Sequence, residues 1–170
     1  MMKPEVEHIL AQRLDGFVSC AQFVIRGDGG TEETPVIMET EATDAAIEEF
    51  LAKAGVSWVS WRRIDPTDLP GDGTFRNAWR DSGEAVVIDM PVARDIARDH
   101  LRRVRAPRLI DLDVQAARAI EQGNTGALAE IAADKQRLRD ITNRSEIAAA
   151  ATPQDLKAIV EQIAAEMLKP

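Results

Sequence analysis

The chain has 170 residues, 45% hydrophobic and 29% charged, with a net charge of -8. That length and balance suit one domain or slightly more and exclude disorder along the whole chain. The acidity opposes nonspecific binding to nucleic acid or to an anionic membrane surface, and no apolar run approaches the roughly 20 residues of a membrane span.

Taken in chain order, Val6, Ile9, Leu10, Leu14 and Phe17 recur at helical spacing, which predicts a helix from about Pro4 to Asp15 closed by Gly16. An acidic helix there is not a signal sequence, so the chain is expected to stay in the compartment where it is made. Val18–Ile25 and 35–40 are short apolar runs on either side of Arg26-Gly-Asp-Gly-Gly30, and they predict an antiparallel hairpin. Cys20, the only cysteine, cannot form an internal disulfide and suits a reducing cytoplasm. Thr43 is placed to cap a helix with Ile47, Phe50, Leu51 and Ala54 on its buried stripe and Gly55 at its end. A strand follows over 56–62, with Trp58, Val59 and Trp61. The Asp/Pro/Gly text of 65–73 is a loop, Thr74 can cap a short turn carrying Phe75 and Trp79, and 85–88 can form a fourth strand.

From Pro91 the periodicity is helical throughout. Ala93, Ile96, Ala97, His100, Leu101 and Val104 share one side, continued by Leu109, Leu112, Ala116, Ala119 and Ile120, with Pro107 either kinking the run or starting a second helix. Residues 121–126 break the helix, and Leu128, Ile131, Leu138 and Ile141 resume it, which predicts an antiparallel hairpin over about 91–142. Thr152-Pro153 opens a C-terminal helix over about 153–168, with Leu156, Ile159, Val160, Ile163 and Met167 on one face. The fold class expected is therefore α+β: a small antiparallel sheet with helices in an N-terminal domain of residues 1–90, then a helical region of residues 91–170.

Charge divides the chain in a similar way. Residues 1–56 carry 4 basic and 11 acidic groups, whereas 91–112 carry six arginines against three aspartates. Arg94, Arg98, Arg102 and Arg105 fall on one helical face. That face is either solvated, with Asp95 and Asp99 as local partners, or a docking face for an acidic surface. The stripe of the last helix either closes the domain core or buries against copies of itself.

Catalytic chemistry is thinly supplied. Only two histidines, His8 and His100, are available as a general base, and His100 falls on the buried-looking side of its helix, where packing is the expected role. Histidine and cysteine are too few and scattered for a metal site built on them, and the aspartates at 65, 68 and 72 read as turn chemistry, so no metal or cofactor is expected. The loop at 26–30 lacks the lysine and following helix of a phosphate cradle, and its Arg-Gly-Asp reads as chance.

The stretch from Trp61 to Trp79, ending Asp68-Leu-Pro-Gly-Asp-Gly-Thr-Phe-Arg-Asn-Ala-Trp79, resembles a signature of small proteins of tailed bacteriophages and prophages. The likeness continues through Asp89-Met-Pro-Val-Ala-Arg94 and Arg105-Ala-Pro-Arg-Leu-Ile-Asp-Leu-Asp113, then Lys135-Gln-Arg-Leu-Arg-Asp140 with Thr142. It ends with Ala151-Thr-Pro153 and Leu156-Lys-Ala158, so that it covers roughly residues 57–158. The closing pattern is also similar to the ends of phage tail-associated and tail-fibre-assembly proteins. It departs from them at Asn143-Arg-Ser145, where such proteins often have Asp-Pro, and in a last helix that runs past the Leu-Lys-Ala. No catalytic residue comes with the resemblance.

What it implies is a noncatalytic tail or baseplate-associated virion component, or a tail assembly factor, acting through protein–protein surfaces in the virion or in the cytoplasm of the infected host. The alternative is a small host-directed regulator that binds a bacterial protein, with the acidic residues 1–56 mimicking nucleic acid. Partners would be other phage structural proteins or a second copy of the chain through its C-terminal helix, with no membrane and no nucleic acid. Phe75, Trp79 and the strand-end Trp61 are expected to form a rigid corner, with Arg76 and Asn77 bonded to loop carbonyls or to Asp68 and Asp72. The candidate partner-binding residues are Arg76, Trp79, Arg94, Arg98, Arg102 and Arg105, because arginine and tryptophan are the usual anchors of interfaces.

Overall fold

The computed structural model describes residues 5–25, 43–53 and 57–167, and the chain divides into two compact units, residues 1–88 and 89–170. The second predicted hairpin strand at 35–40, the loop at 26–30, and the predicted helix end at Ala54 and Gly55 lie outside the described residues.

The first unit holds a three-stranded antiparallel sheet in the order β2-β1-β3, formed by β1 (Glu5–Arg13), β2 (Val18–Ile25) and β3 (Trp58–Ile64). The expected first helix is thus a strand, and the central one. Ile9 and Ala11 pack on one face of the sheet and Leu10 on the other, all at most 1% exposed. A strand buried on both faces reads as a continuous apolar run, which periodicity alone does not separate from a buried helix. Leu14, counted in the helical stripe, is 74% exposed in the turn. That turn, Leu14 to Gly16, ends on Gly16 at φ +78, the left-handed conformation a three-residue hairpin loop requires. Arg80 holds it from outside, donating to the Asp15 carbonyl at 3.1 Å with its guanidinium 3.6 Å from the centre of the Phe17 ring.

On one face of the sheet lies α1 (Asp44–Lys53), capped as expected by Thr43, whose hydroxyl oxygen accepts from the Ala46 N–H at 3.3 Å. Ile47 and Leu51 bury against Ile9, Ala11, Trp58 and Trp61, and the Trp58 indole N–H donates to the Leu51 carbonyl at 3.0 Å. Two tryptophans three residues apart would ordinarily point to opposite faces. A bulge at Val59 resolves this: Ser60 pairs with Gln12 and Trp58 with Arg13, so both rings face α1 and Val59 is left 60% exposed. The opposite face carries Leu10, Val18, Ile64, Trp79 and Val86. Over it lies a short ribbon of β4 (Trp79–Asp81) and β5 (Val86–Ile88), reached through two 3₁₀ turns, 66–68 and 73–78.

The second unit is helical: α2 (Met90–Glu121), α3 (Thr125–Asp140), a short α4 (Ser145–Ala149) and α5 (Pro153–Met167). Asp89 caps α2, accepting from the Val92 N–H at 3.3 Å. The helix runs through Pro107 without a break; the exposed ring costs the Arg103 carbonyl its helical donor where water can replace it. It ends in a Schellman motif, with Asn124 N–H on the Ala119 carbonyl, Gly123 N–H on the Ile120 carbonyl, and Gly123 at φ +66. Asn124 then caps α3, giving the expected antiparallel hairpin in which Leu112 and Ala119 pack on Ile131. Ile120 falls on the outside at 65% exposure. Thr152 and Asp155 form a reciprocal cap on α5, whose Leu156, Val160, Ile163 and Met167 are buried within the protein. Its apolar stripe is therefore spent inside the chain and is not free for the expected self-association. No helix among the described residues is long and apolar enough to cross a membrane.

Candidate functional site

The corner at residues 65–81 is held by its carboxylates. Asp65 accepts from the Thr67 N–H at 2.8 Å and from its hydroxyl at 2.6 Å, and Asp72 accepts from the Thr74 N–H at 2.8 Å. The cap of the second turn is thus Asp72 rather than the expected Thr74. The Thr67 hydroxyl and amide hold the Asp65 carboxyl below the usual carboxylate range. These are turn contacts, and among the described residues no group of three or more metal-ligating side chains is gathered.

Phe75 and Ala78 are buried within the turn, and Trp79 is 5% exposed in the sheet core. Trp79 is therefore a core residue and cannot serve as an interface anchor. Its indole N–H is buried with no hydrogen-bond partner among the described residues. Trp61 does not complete this corner, because it faces α1 on the other side of the sheet. Arg76 is exposed, with its guanidinium folded back over Gly73. The corner is closed instead by Arg62, which grips Asp81 with two bonds of 3.0 and 2.9 Å. That pair holds the Asp81 carboxyl below its ordinary value, with a further N–H from Gly83 assisting and burial opposing. Burial pushes the nearby Cys20 thiol up, away from thiolate reactivity.

The four arginines expected on one face of α2 divide into two pairs. Arg98 bonds Asp95 at 2.7 Å and Arg102 bonds Asp99, the local pairing of a solvated face. Arg94 and Arg105 turn inward. Arg94 donates to the Ala150 carbonyl at 2.9 Å, closing the end of α4. Arg105 donates to the Leu138 and Arg139 carbonyls at 2.8 and 2.9 Å, closing the last turn of α3. A helix ends in carbonyls without intrahelical partners and in a partial negative charge, and a guanidinium satisfies both. These two arginines are latches within the helical unit. His100, expected on the buried side of α2, is exposed, and His8 lies in a strand.

The helical unit also contains a groove of about 630 Å³ where α2, α3 and α5 meet. Its lining joins Leu112, Leu138, Ile141 and Met167 to three arginines, Arg108, Arg137 and Arg144, and three carboxylates, Asp134, Asp140 and Glu166. Arg137 is paired with Asp134, and Arg144 with Glu166 at 2.7 Å. Arg108 is exposed and has no ion pair or hydrogen bond among the described residues. The groove therefore offers an apolar floor flanked by one guanidinium, Arg108, and one carboxylate, Asp140, neither in an ion pair among the described residues, a lining suited to an apolar segment with charged or polar ends. Nothing in the sequence announced it, because its residues come from separate helices and no local spacing links them.

No protein-family model matches the chain, no curated protein matches it, and no solved structure matches its fold.

Proposed function

We propose that this chain is a noncatalytic protein of a tailed phage or prophage, a tail or baseplate-associated component or an assembly factor, that acts by binding other proteins. The reading rests on the resemblance of residues 57–158 to small phage proteins, and on one observation above others, the groove with Arg108 free over an apolar floor. Charged and apolar surface mixed in this way suits an apolar peptide segment or helix end of another structural protein, with Arg108 taking a carboxylate or carbonyl of it. Arg76, exposed at the corner of the sheet unit, is a second candidate contact.

The experiment is mass spectrometry of purified particles, together with deletion of the gene from a phage or prophage that carries it. Peptides of this chain in the particles identify a virion component; particles free of it, with tails lost on deletion, identify an assembly factor. Intact infectious particles after deletion, with no peptides in them, overturn the reading and favour a host-directed regulator. Arg108→Glu, at an exposed and unpaired position, leaves the fold unchanged and is expected to lower incorporation or tail assembly several-fold.

A further inference from the structure

The outer face of α2 carries an apolar stripe that the helical unit leaves exposed. Ile110 is 62% and Val114 47% exposed, and Ala106, Pro107 and Ala117 are exposed on the same side. Arg103 stands at one end of this stripe and Glu121 at the other. Their separation of eighteen residues is five whole helical turns, so both charges lie on one azimuth, roughly 27 Å apart along the axis. Of the other charges of α2, Arg98 and Arg102 are engaged by aspartates, Arg105 by carbonyls and Asp113 by Lys135 at 2.7 Å, while Arg108, Asp111 and Arg118 fall to the side of the stripe. Arg103 and Glu121 have no ion pair or hydrogen bond among the described residues.

This arrangement complements itself. Turning the helix over about a two-fold axis at the level of Leu112 sets Arg103 opposite Glu121 of the second copy, Pro107 opposite Ala117, and Ile110 opposite Val114. Each charge then meets its opposite at both ends, and the apolar residues meet in the middle, as an isologous interface requires. A parallel copy in register would instead set Arg103 on Arg103 and Glu121 on Glu121, so the charge pattern selects the antiparallel neighbour. We propose that two copies of this chain associate through an antiparallel, two-fold contact of the outer faces of α2. The proposal stands independently of the phage reading, and it moves self-association from α5, whose stripe is buried, to α2.

The test is sedimentation equilibrium or light scattering of the full chain over a concentration series. A monomer–dimer equilibrium is expected, and Ile110→Asp with Val114→Asp abolishes it; both sites are exposed, and circular dichroism checks that the helices persist. Arg103→Glu alone and Glu121→Arg alone each place two like-charge contacts in the dimer and raise its dissociation constant about tenfold or more. An equimolar mixture of these two variants restores association, because each copy then presents the charges the other lacks. A single chain carrying both changes restores it as well. A monomer at every concentration overturns the proposal. So does a dimer indifferent to Ile110→Asp with Val114→Asp, or a mixture that fails to recover.

Discussion

The two units of this chain place arginine and tryptophan differently. All three tryptophans lie in the sheet unit, with Trp58 and Trp61 against α1 and Trp79 in the opposite layer; of its arginines Arg62 grips a side-chain carboxylate, Asp81, and Arg80 reaches a backbone carbonyl only at the hairpin turn, outside the ladder. The helical unit has no tryptophan, and the arginines that fasten it, Arg94 and Arg105, grip backbone carbonyls at helix ends. The difference follows from where each architecture leaves polar groups unsatisfied. Sheet ladders consume their backbone groups across strands, so the remaining task is to fill two thin apolar layers with large rings. A helix satisfies its interior but leaves its last carbonyls bare, and a long guanidinium can reach them from a neighbouring helix.

That contrast is easiest to break in the layers. Trp79→Ala removes a buried ring from the face shared with Leu10, Val18 and Ile64, and is expected to cost roughly 3–5 kcal/mol. Tryptophan fluorescence reports on the sheet unit alone, through Trp58 and Trp61 in this variant, so denaturant melts followed by emission register the loss directly. Next in size is Arg105→Ala, which strips both carbonyl bonds at the end of α3 and should cost roughly 1.5–3 kcal/mol. Far-ultraviolet circular dichroism at the helix minimum is its readout. Both bonds leave from one nitrogen, Nη1, so an ammonium with its three donors can replace them, and Arg105→Lys recovers the part of the loss that its shorter stem can reach.

The elements of the helical unit were legible in the sequence where local chemistry decides them. Thr152-Pro153 at the start of α5, the break around Gly123 and the buried positions Ala93, Ala97, Leu101 and Leu112 all follow from caps and 3.6-residue spacing. What long-range contacts decide was not legible. The partners of Arg94 and Arg105 are main-chain oxygens of Ala150, Leu138 and Arg139, atoms every residue carries, so no spacing marks them. In the sheet unit, β1 misled because α1 covers one of its faces and the β4–β5 ribbon the other, both from residues distant in the chain. Trp79 misled for a related reason: an aromatic next to an arginine in a loop-rich stretch suits a surface anchor as well as a core ring, until β4 is seen packed on the sheet. β2, in contrast, falls on the predicted residues Val18–Ile25, though its described partner is β1.

Smaller effects sharpen the comparison through pH and turns. In the sheet unit the Asp81 carboxyl binds a proton more weakly folded than unfolded, because Arg62 bonds its charged form. The stability it supplies is therefore complete above about pH 4, near the unfolded value for aspartate, and is lost as pH falls through the lower folded value. Asp81→Asn should cost roughly 1–2 kcal/mol at neutral pH and flatten the acid limb of a stability–pH curve followed by tryptophan emission. In the helical unit, Gly123→Ala forces a side chain into the left-handed conformation of the Schellman turn and should cost about 1 kcal/mol by circular dichroism.

The least effect is expected where arginine is most conspicuous in the sequence. Arg98 and Arg102 each bond the aspartate three residues before them on the surface of α2, a pairing worth only tenths of a kcal/mol in water and screened by salt. Replacing both with glutamine should move the helical melt by less than about 1 kcal/mol. Matching melts in low and high salt would show that these two side chains hold nothing in place, in contrast to Arg105 a single turn further on. A loss comparable to that of Arg105→Ala would mean that the whole arginine face, and not its inward pair, fastens the helical unit.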